Sequence, residues 1–257
     1  SSVTRDIELE TDSNAYIPRI KFVADEENNL FIFTLNRRQN TLEVYAANPR
    51  STLCNLILRE TDNRYIETTS YMDTEFYGDK FIMQSEKDGH NHLYLYNLRG
   101  KLERQITKGN WDVLAFHGYD AKSGTAYYES NEQGFYNCNV YKIDSKGKSV
   151  CLTPDKGYNN AIFSADNTYF VNTWSDLNTP PVVSVKDNKG KQITVIEDNK
   201  ELQELAKEYN LVKKEFFSFT TSEGVELYGW MVKPADASAS AENVCNCRCT
   251  ITPVIEL

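Results

Sequence analysis

The chain has 257 residues, 40% of them hydrophobic, enough to bury one large core or two small ones. Its 37 acidic side chains outnumber 28 Lys and Arg, and the net charge of −9 repels phosphate backbones, which excludes nucleic acid as a partner class. No apolar run approaches the ~20 residues that cross a bilayer, and residues 1–10 lack the basic start and apolar stretch of a signal peptide. The chain is therefore read as cytosolic, or as a piece whose targeting signal lies upstream.

In chain order, residues 16–22 and 30–35 are dense in β-branched and aromatic side chains, and the polar Asp25-Glu26-Glu27-Asn28-Asn29 between them predicts a hairpin. The arrangement recurs at residues 80–85 with 93–96, 125–129 with 140–143, and 168–173 with 182–185, each pair followed by a turn and a third strand. The turns Asn97-Leu98-Arg99-Gly100, Asp144-Ser145-Lys146-Gly147 and Asp187-Asn188-Lys189-Gly190 end on a glycine that accepts the positive φ of a tight hairpin. With Phe31, Phe81, Tyr127 and Tyr169 as matching positions, the separations are 50, 46 and 42 residues, a period expected of propeller blades. A four-stranded blade cannot bury its faces alone, so blades stack around an axis. Residues 200–209 then place Leu202, Leu205, Ala206 and Tyr209 at helical spacing, and residues 215–220 and 225–232 form a last hairpin turning at Ser222-Glu223-Gly224.

Several ordered motifs carry a family resemblance. Tyr16-Ile17-Pro18-Arg19-Ile20-Lys21 with Leu35-Asn36-Arg37-Arg38-Gln39-Asn40, then Ser85-Glu86-Lys87-Asp88-Gly89 with His92-Leu93-Tyr94-Leu95-Tyr96, are two of them. Gln105-Ile106-Thr107-Lys108-Gly109-Asn110-Trp111-Asp112-Val113, followed by Tyr128-Glu129-Ser130-Asn131-Glu132 and Glu197-Asp198-Asn199, completes the set. Across residues 7–234 the chain resembles the β-propeller region of dipeptidyl peptidase IV-like enzymes, serine peptidases of the prolyl oligopeptidase class (the S9 family). The resemblance implies an all-β fold: about four blades of a larger ring of the eight-bladed type, with a short helix and the first hairpin of a truncated α/β-hydrolase domain. It implies a partial propeller over residues 1–199, a linker helix and hydrolase start over 200–234, and a non-native tail over 235–257. In such enzymes the propeller gates the access of short peptides, from which a dipeptide is released after Pro or Ala. The implied partners are peptide substrates, through the intact parent, and the chain's own hydrolase domain; the implied location of the parent is the periplasm or cell surface. An acidic pair on an earlier part of the propeller is implied to select a free amino terminus.

The reaction itself needs a nucleophilic Ser on a sharp elbow, a His base, an orienting Asp and an oxyanion hole. No Gly-x-Ser-x-Gly occurs in these residues, so no catalytic residue is assigned and the chain alone is expected to be inactive. His90, His92 and His117 lie beside strands without an oriented partner and are read as structural or surface residues. Glu26-Glu27 is read as solvent-facing turn residues, and Gly147-Lys148-Ser149 as a hairpin turn, because Lys142 stands where a phosphate loop needs Gly. Trp111 and Trp174 are read as packing between blades instead of a carbohydrate platform. Cys138 and Cys151 straddle one turn and are read as two free or buried thiols. Cys245, Cys247 and Cys249 lack a fourth ligand nearby, so no metal or other cofactor is expected.

After about Pro234 an apolar strand is due, yet residues 235–242 are small and polar and half of the six cysteines follow within five residues. A reading-frame error accounts for this: one set of codons for Arg248-Cys249-Thr250-Ile251-Thr252-Pro253, read from the last base of the first, encodes Met-Tyr-Asn-Tyr-Ser. A partial ring also leaves blade faces uncovered, so self-association is expected. The rival reading, from another functional class, is a stand-alone propeller used as a binding scaffold for protein or glycan.

Overall fold

The computed structural model describes residues 4–23 and 30–233. The segment Asp25–Asn29, including Glu26 and Glu27, and the tail with Cys245, Cys247 and Cys249 lie outside the described residues. Four antiparallel four-stranded sheets follow one another along the chain, each in sequential strand order. The first comprises β1 (Tyr16–Phe22), β2 (Leu30–Leu35), β3 (Thr41–Ala47) and β4 (Cys54–Thr61). A one-turn helix, α1 (Thr69–Met72), leads to β5 (Glu75–Tyr77), β6 (Lys80–Ser85), β7 (His92–Asn97) and β8 (Leu102–Gln105). The third sheet is β9 (Val113–Asp120), β10 (Thr125–Ser130), β11 (Asn139–Ile143) and β12 (Ser149–Cys151). The fourth is β13 (Tyr158–Phe163), β14 (Tyr169–Ser175), β15 (Val182–Asp187) and β16 (Gln192–Glu197). The helix α2 (Lys200–Glu208) and the hairpin β17 (Lys214–Thr220) and β18 (Glu226–Val232) follow. Two compact units result, Ser1–Glu132 with Tyr141–Cys151, and Gln133–Val140 with Leu152–Leu257.

The strands are apolar on both faces where sheets stack. In the first unit, Phe31, Phe33, Leu42 and Val44 of the first sheet meet Phe81, Met83, Tyr94 and Tyr96 of the second in one core cluster. The opposite face of the second sheet, with Ile82, Leu93 and Leu95, meets Ala126, Tyr128, Tyr141 and Ile143 of the third. Burying such side chains stabilises by roughly 1.5–3 kcal/mol each, so middle strands filled on both faces hold each sheet between its neighbours. In the second unit, by contrast, every residue of β16 is exposed.

The predicted hairpins are present, with one correction of register. Residues 16–22 and 30–35 are the first and second strands of their sheet, whereas residues 80–85 and 93–96 belong to second and third strands. Phe31 and Phe81 moreover share one cluster, facing each other across an interface instead of occupying equivalent faces. Because side chains alternate, a one-residue shift exchanges faces. The equivalent residue of the first sheet is Leu30, packed on the opposite face from Phe31, and that of the third is Ala126, on the face that meets the second sheet.

Two local devices recur. At the turns between third and fourth strands, the side chain of Asn97 accepts from the Arg99 and Lys101 amides at 3.0 Å each. Asp144 does the same for Lys146 and Lys148, and Asp187 for Lys189 and Lys191, each at 2.9 Å. These Asx turns place Gly100, Gly147 and Gly190 at φ of 77°, 82° and 85°. The second device bolts the chain after the fourth strand to the third strand. Thr107 Oγ1 accepts from the Leu93 amide at 3.0 Å, and Thr153 Oγ1 from the Val140 amide at 2.8 Å.

Gly100 is constrained twice, by its positive φ and by the Ile57 carbonyl, into which a methyl group would collide; nothing lies within 4 Å of that position at Gly147. Gly100→Ala is expected to destabilise the chain by at least ~3 kcal/mol, and Gly147→Ala by only ~1 kcal/mol for the left-handed backbone. Urea denaturation of the two variants checks this, equal effects being the contrary result.

Candidate functional site

In the first unit the loops between second and third strands are hydrogen-bonded to the connections that run from one sheet to the next. The Ile66 amide donates to the Gln39 carbonyl at 2.7 Å and the Asp62 amide to that of Asn40 at 3.0 Å. The Asn91 amide donates to the Asp112 carboxylate at 2.8 Å, and the Asp112 amide to Asn131 Oδ1 at 2.7 Å. Between these connections, beside the ends of β4 and β6, lies a water-sized pocket lined by Glu60, Asp62, Tyr65, Glu67, Glu86 and Lys87 among others.

Its polar groups are prearranged. Ser85 Oγ donates to Glu60 Oε1 at 2.5 Å. Lys87 Nζ donates to Tyr96 Oη at 2.7 Å and sits 3.7 Å from the centre of the Tyr94 ring, a cation–π contact that fixes the ammonium. Tyr65 Oη donates to Glu67 at 2.7 Å, which raises the tyrosine's pKa. Burial pushes the Glu60 carboxyl above the usual carboxylate range, against the pull of the Ser85 hydrogen bond and the Lys87 charge. Glu86 is raised by burial and then by Glu67, Asp112 and Asp62, while burial lowers Lys87. Glu43 is the contrast within the same sheet. There Tyr45 donates at 2.8 Å, Arg59 supplies two contacts at 2.8 and 2.6 Å, and together they outweigh burial and lower the carboxyl's pKa.

Four carboxylates against one tethered ammonium make this a rim that attracts cationic groups. It is not a nucleophilic site: Ser85 Oγ is already engaged by Glu60 and by the Lys87 amide at 3.2 Å. Sequence reading singled out Ser85-Glu86-Lys87 only through family resemblance and missed Glu60 altogether. A strand-end Arg-Glu-Thr carries no local signal, and its importance arises from a neighbour 25 residues on.

The histidines lie apart. His92 is fully buried, bonded to Thr107 Oγ1 at 3.1 Å and to the Gly109 carbonyl at 3.0 Å, with Trp111 edge-on. In the next sheet Asn139 fills the corresponding place, donating to the Asp155 carbonyl at 3.0 Å, so the position serves the strand connection. His117, half-buried, pairs with buried Glu129 at 2.9 Å, and His90 with Asp112 at 3.3 Å. Trp111 precedes β9 and stacks on Tyr128 with ring centres 6.0 Å apart. Trp174 Nε1 donates to the Lys156 carbonyl at 3.0 Å. Cys138 is buried and Cys151 half-buried, and Cys151 lies across from Tyr141. The Lys146 and Lys148 amides are already taken by Asp144, which leaves no phosphate cradle at Gly147-Lys148-Ser149. Among the described residues no group of three or more His, Cys, Asp or Glu is placed to hold a metal, and no helix is long and apolar enough to cross a membrane.

Successive four-stranded sheets stacked through two-sided cores define a β-propeller. Residues 2–181 match the dipeptidyl peptidase IV (DPP IV) N-terminal region, and the chain belongs to that family. It is 34% identical over 154 residues to a dipeptidyl peptidase 4 of Arthroderma otae, covering 57% of this chain and 20% of that one. It is 30% identical over 181 residues to dipeptidyl peptidase 4 of Trichophyton equinum, covering 66% and 23%. The crystal structure of Porphyromonas gingivalis dipeptidyl peptidase 4 superposes with a TM-score of 0.85 at 41% identity, covering 90% of this chain and 33% of that one. A Bacteroides ovatus structure titled a putative dipeptidyl aminopeptidase IV shares the fold, with a TM-score of 0.74 at 22% identity, covering 90% and 35%. The chain thus spans about a fifth of the length of these curated relatives.

The raised Glu60 pKa gives a signed expectation. Its contribution to stability is complete below the ordinary carboxylate pKa, near ~4.3, and is lost as pH rises through the raised folded value. Glu60→Gln keeps an acceptor for Ser85 but does not titrate. The variant is therefore expected to gain stability relative to the parent chain between about pH 4 and pH 7; a pH-independent difference in urea midpoints is the contrary result.

Proposed function

We propose that this chain is the later part of the N-terminal propeller of a DPP IV-like serine exopeptidase, supplying about four blades of a larger ring of the eight-bladed type. The parent enzyme releases X-Pro and X-Ala dipeptides from peptide amino termini and is exported to the periplasm or cell surface. α2 is the link, and β17 with β18 the first hairpin, of the α/β-hydrolase domain that carries the chemistry. The observation that carries this reading is the 41% identity to the P. gingivalis enzyme across 90% of the chain.

The propeller's part in this reading is to gate and orient. Carboxylates of Glu60, Asp62, Glu67 and Glu86 around one pocket favour the ammonium end of an incoming peptide over its carboxylate end. Such attraction acts on ground state and transition state alike, so it appears in KM more than in kcat.

The test is hydrolysis of Gly-Pro-p-nitroanilide. The 257-residue chain alone is expected to give no turnover sensitive to a serine-directed inhibitor. The complete enzyme from the same locus is expected to hydrolyse it, and Glu67→Gln with Glu86→Gln to raise KM roughly two- to five-fold with little change in kcat. A complete locus product that is inactive and lacks Gly-x-Ser-x-Gly overturns the reading in favour of a binding scaffold.

A further inference from the structure

The second unit contains a cleft of about 830 Å³, within the range of small-ligand sites. It lies where the connection between β14 and β15 meets residues 133–137, 156–158 and the start of β17. One wall is aromatic and rigid. Tyr136 stacks on Phe216 with ring centres 3.8 Å apart, and its hydroxyl donates to the Phe217 carbonyl at 2.9 Å. Asn178 clamps the backbone of Lys214 from both sides, donating to its carbonyl at 3.0 Å and accepting its amide at 2.8 Å. Asn137 Oδ1 accepts the Gly157 amide at 2.9 Å. The walls are thus preformed by internally satisfied groups, which lowers the ordering cost of binding.

The charges inside are of opposite sign to the chain as a whole. Lys156, Lys213 and Lys214 line the cleft with a single carboxylate, Asp176. Asp176 is turned to its own loop, accepting the Asn178 and Thr179 amides at 2.8 and 2.6 Å. Among the described residues neither Lys156 nor Lys213 has a carboxylate within ion-pair distance, and Lys214 Nζ lies 5.1 Å from the Trp230 ring centre. Unpaired ammonium groups beside a fixed aromatic shelf suit a ligand that joins an anionic end to an apolar body.

We infer that this cleft binds the C-terminal carboxylate end of a short peptide, with Lys156 and Lys213 holding the carboxylate and the Tyr136–Phe216 wall packing against the adjoining side chain. The choice of a peptide rests on the proposed function; the anionic and apolar requirements rest on the cleft alone. The site would complement the acidic rim of the first unit, one favouring amino ends and the other carboxyl ends.

The experiment titrates the chain at low ionic strength with N-acetyl-Ala-Pro-Ala-Phe bearing a free carboxylate, and with the same peptide as its C-terminal amide, by isothermal calorimetry. The acid is expected to bind roughly five- to ten-fold more tightly than the amide, with the preference shrinking as salt is added. Lys156→Gln with Lys213→Gln is expected to abolish the preference, and Lys156→Arg with Lys213→Arg to retain it; both positions are exposed, and circular dichroism confirms that the variants fold. Equal binding of acid and amide, binding of neither, or inorganic phosphate binding as tightly as the acid overturns the inference. Because the assay reads binding by the chain alone, its failure is distinct from failure of the complete enzyme to hydrolyse Gly-Pro-p-nitroanilide.

Discussion

The first unit depends on the burial of both faces of its middle strands. A sheet with Phe81 and Met83 on one side and Ile82 on the other has no solvent face, so it is stable only between two other sheets. The aromatic residues make this stacking specific. Phe76 lies between Phe31 and Phe81 at ring-centre distances of 4.8 and 5.5 Å, Phe81 stacks on Tyr96 at 5.2 Å, and Trp111, Tyr128 and Tyr141 continue a similar stack in the next interface. Offset ring pairs add about 0.5–1.5 kcal/mol beyond area burial, and their geometry fixes how one sheet sits on the next.

Stacking leaves the strand ends to carry polar work. The Asx turns and the threonine bolts satisfy backbone groups at fixed places in successive sheets, so the connections are held without consuming the side chains between them. In the first unit this frees Glu60, Glu67 and Glu86 to gather around one pocket, where burial raises the pKa of Glu60 and Glu86. In the second unit it leaves lysines and an aromatic wall around a cleft. Fold and function are divided in this way: sheet interiors set positions, and loop side chains set charge.

What the sequence disclosed follows the same division. Middle strands were legible because β-branched and aromatic residues crowd them, and the turns because Asn or Asp followed by Gly three residues on has a single local explanation. First strands were harder. β5 has three residues, and β9 breaks its register with β10 near Tyr127 and Tyr128, so neither shows clean alternation. The one-residue error that matched Phe31 to Phe81 has the same origin, since a strand filled on both faces carries no polar phase to count from. From sequence His92 reads as structural or surface, but its bonds to Thr107 and Gly109, matched by Asn139 in the next sheet, and the Glu60–Ser85 contact between two sheets are encoded by no local pattern. The ordered motifs, taken together, carried the family.

Stacking of this kind requires neighbouring sheets to be energetically coupled through their aromatic contacts. A double-mutant cycle of Phe31→Ala and Phe76→Ala, from the first and second sheets, measures this in urea denaturation. Ring centres 4.8 Å apart call for a coupling energy of about 0.5–1.5 kcal/mol. Strict additivity of the two substitutions, with each alone costing less than ~1 kcal/mol, would contradict it.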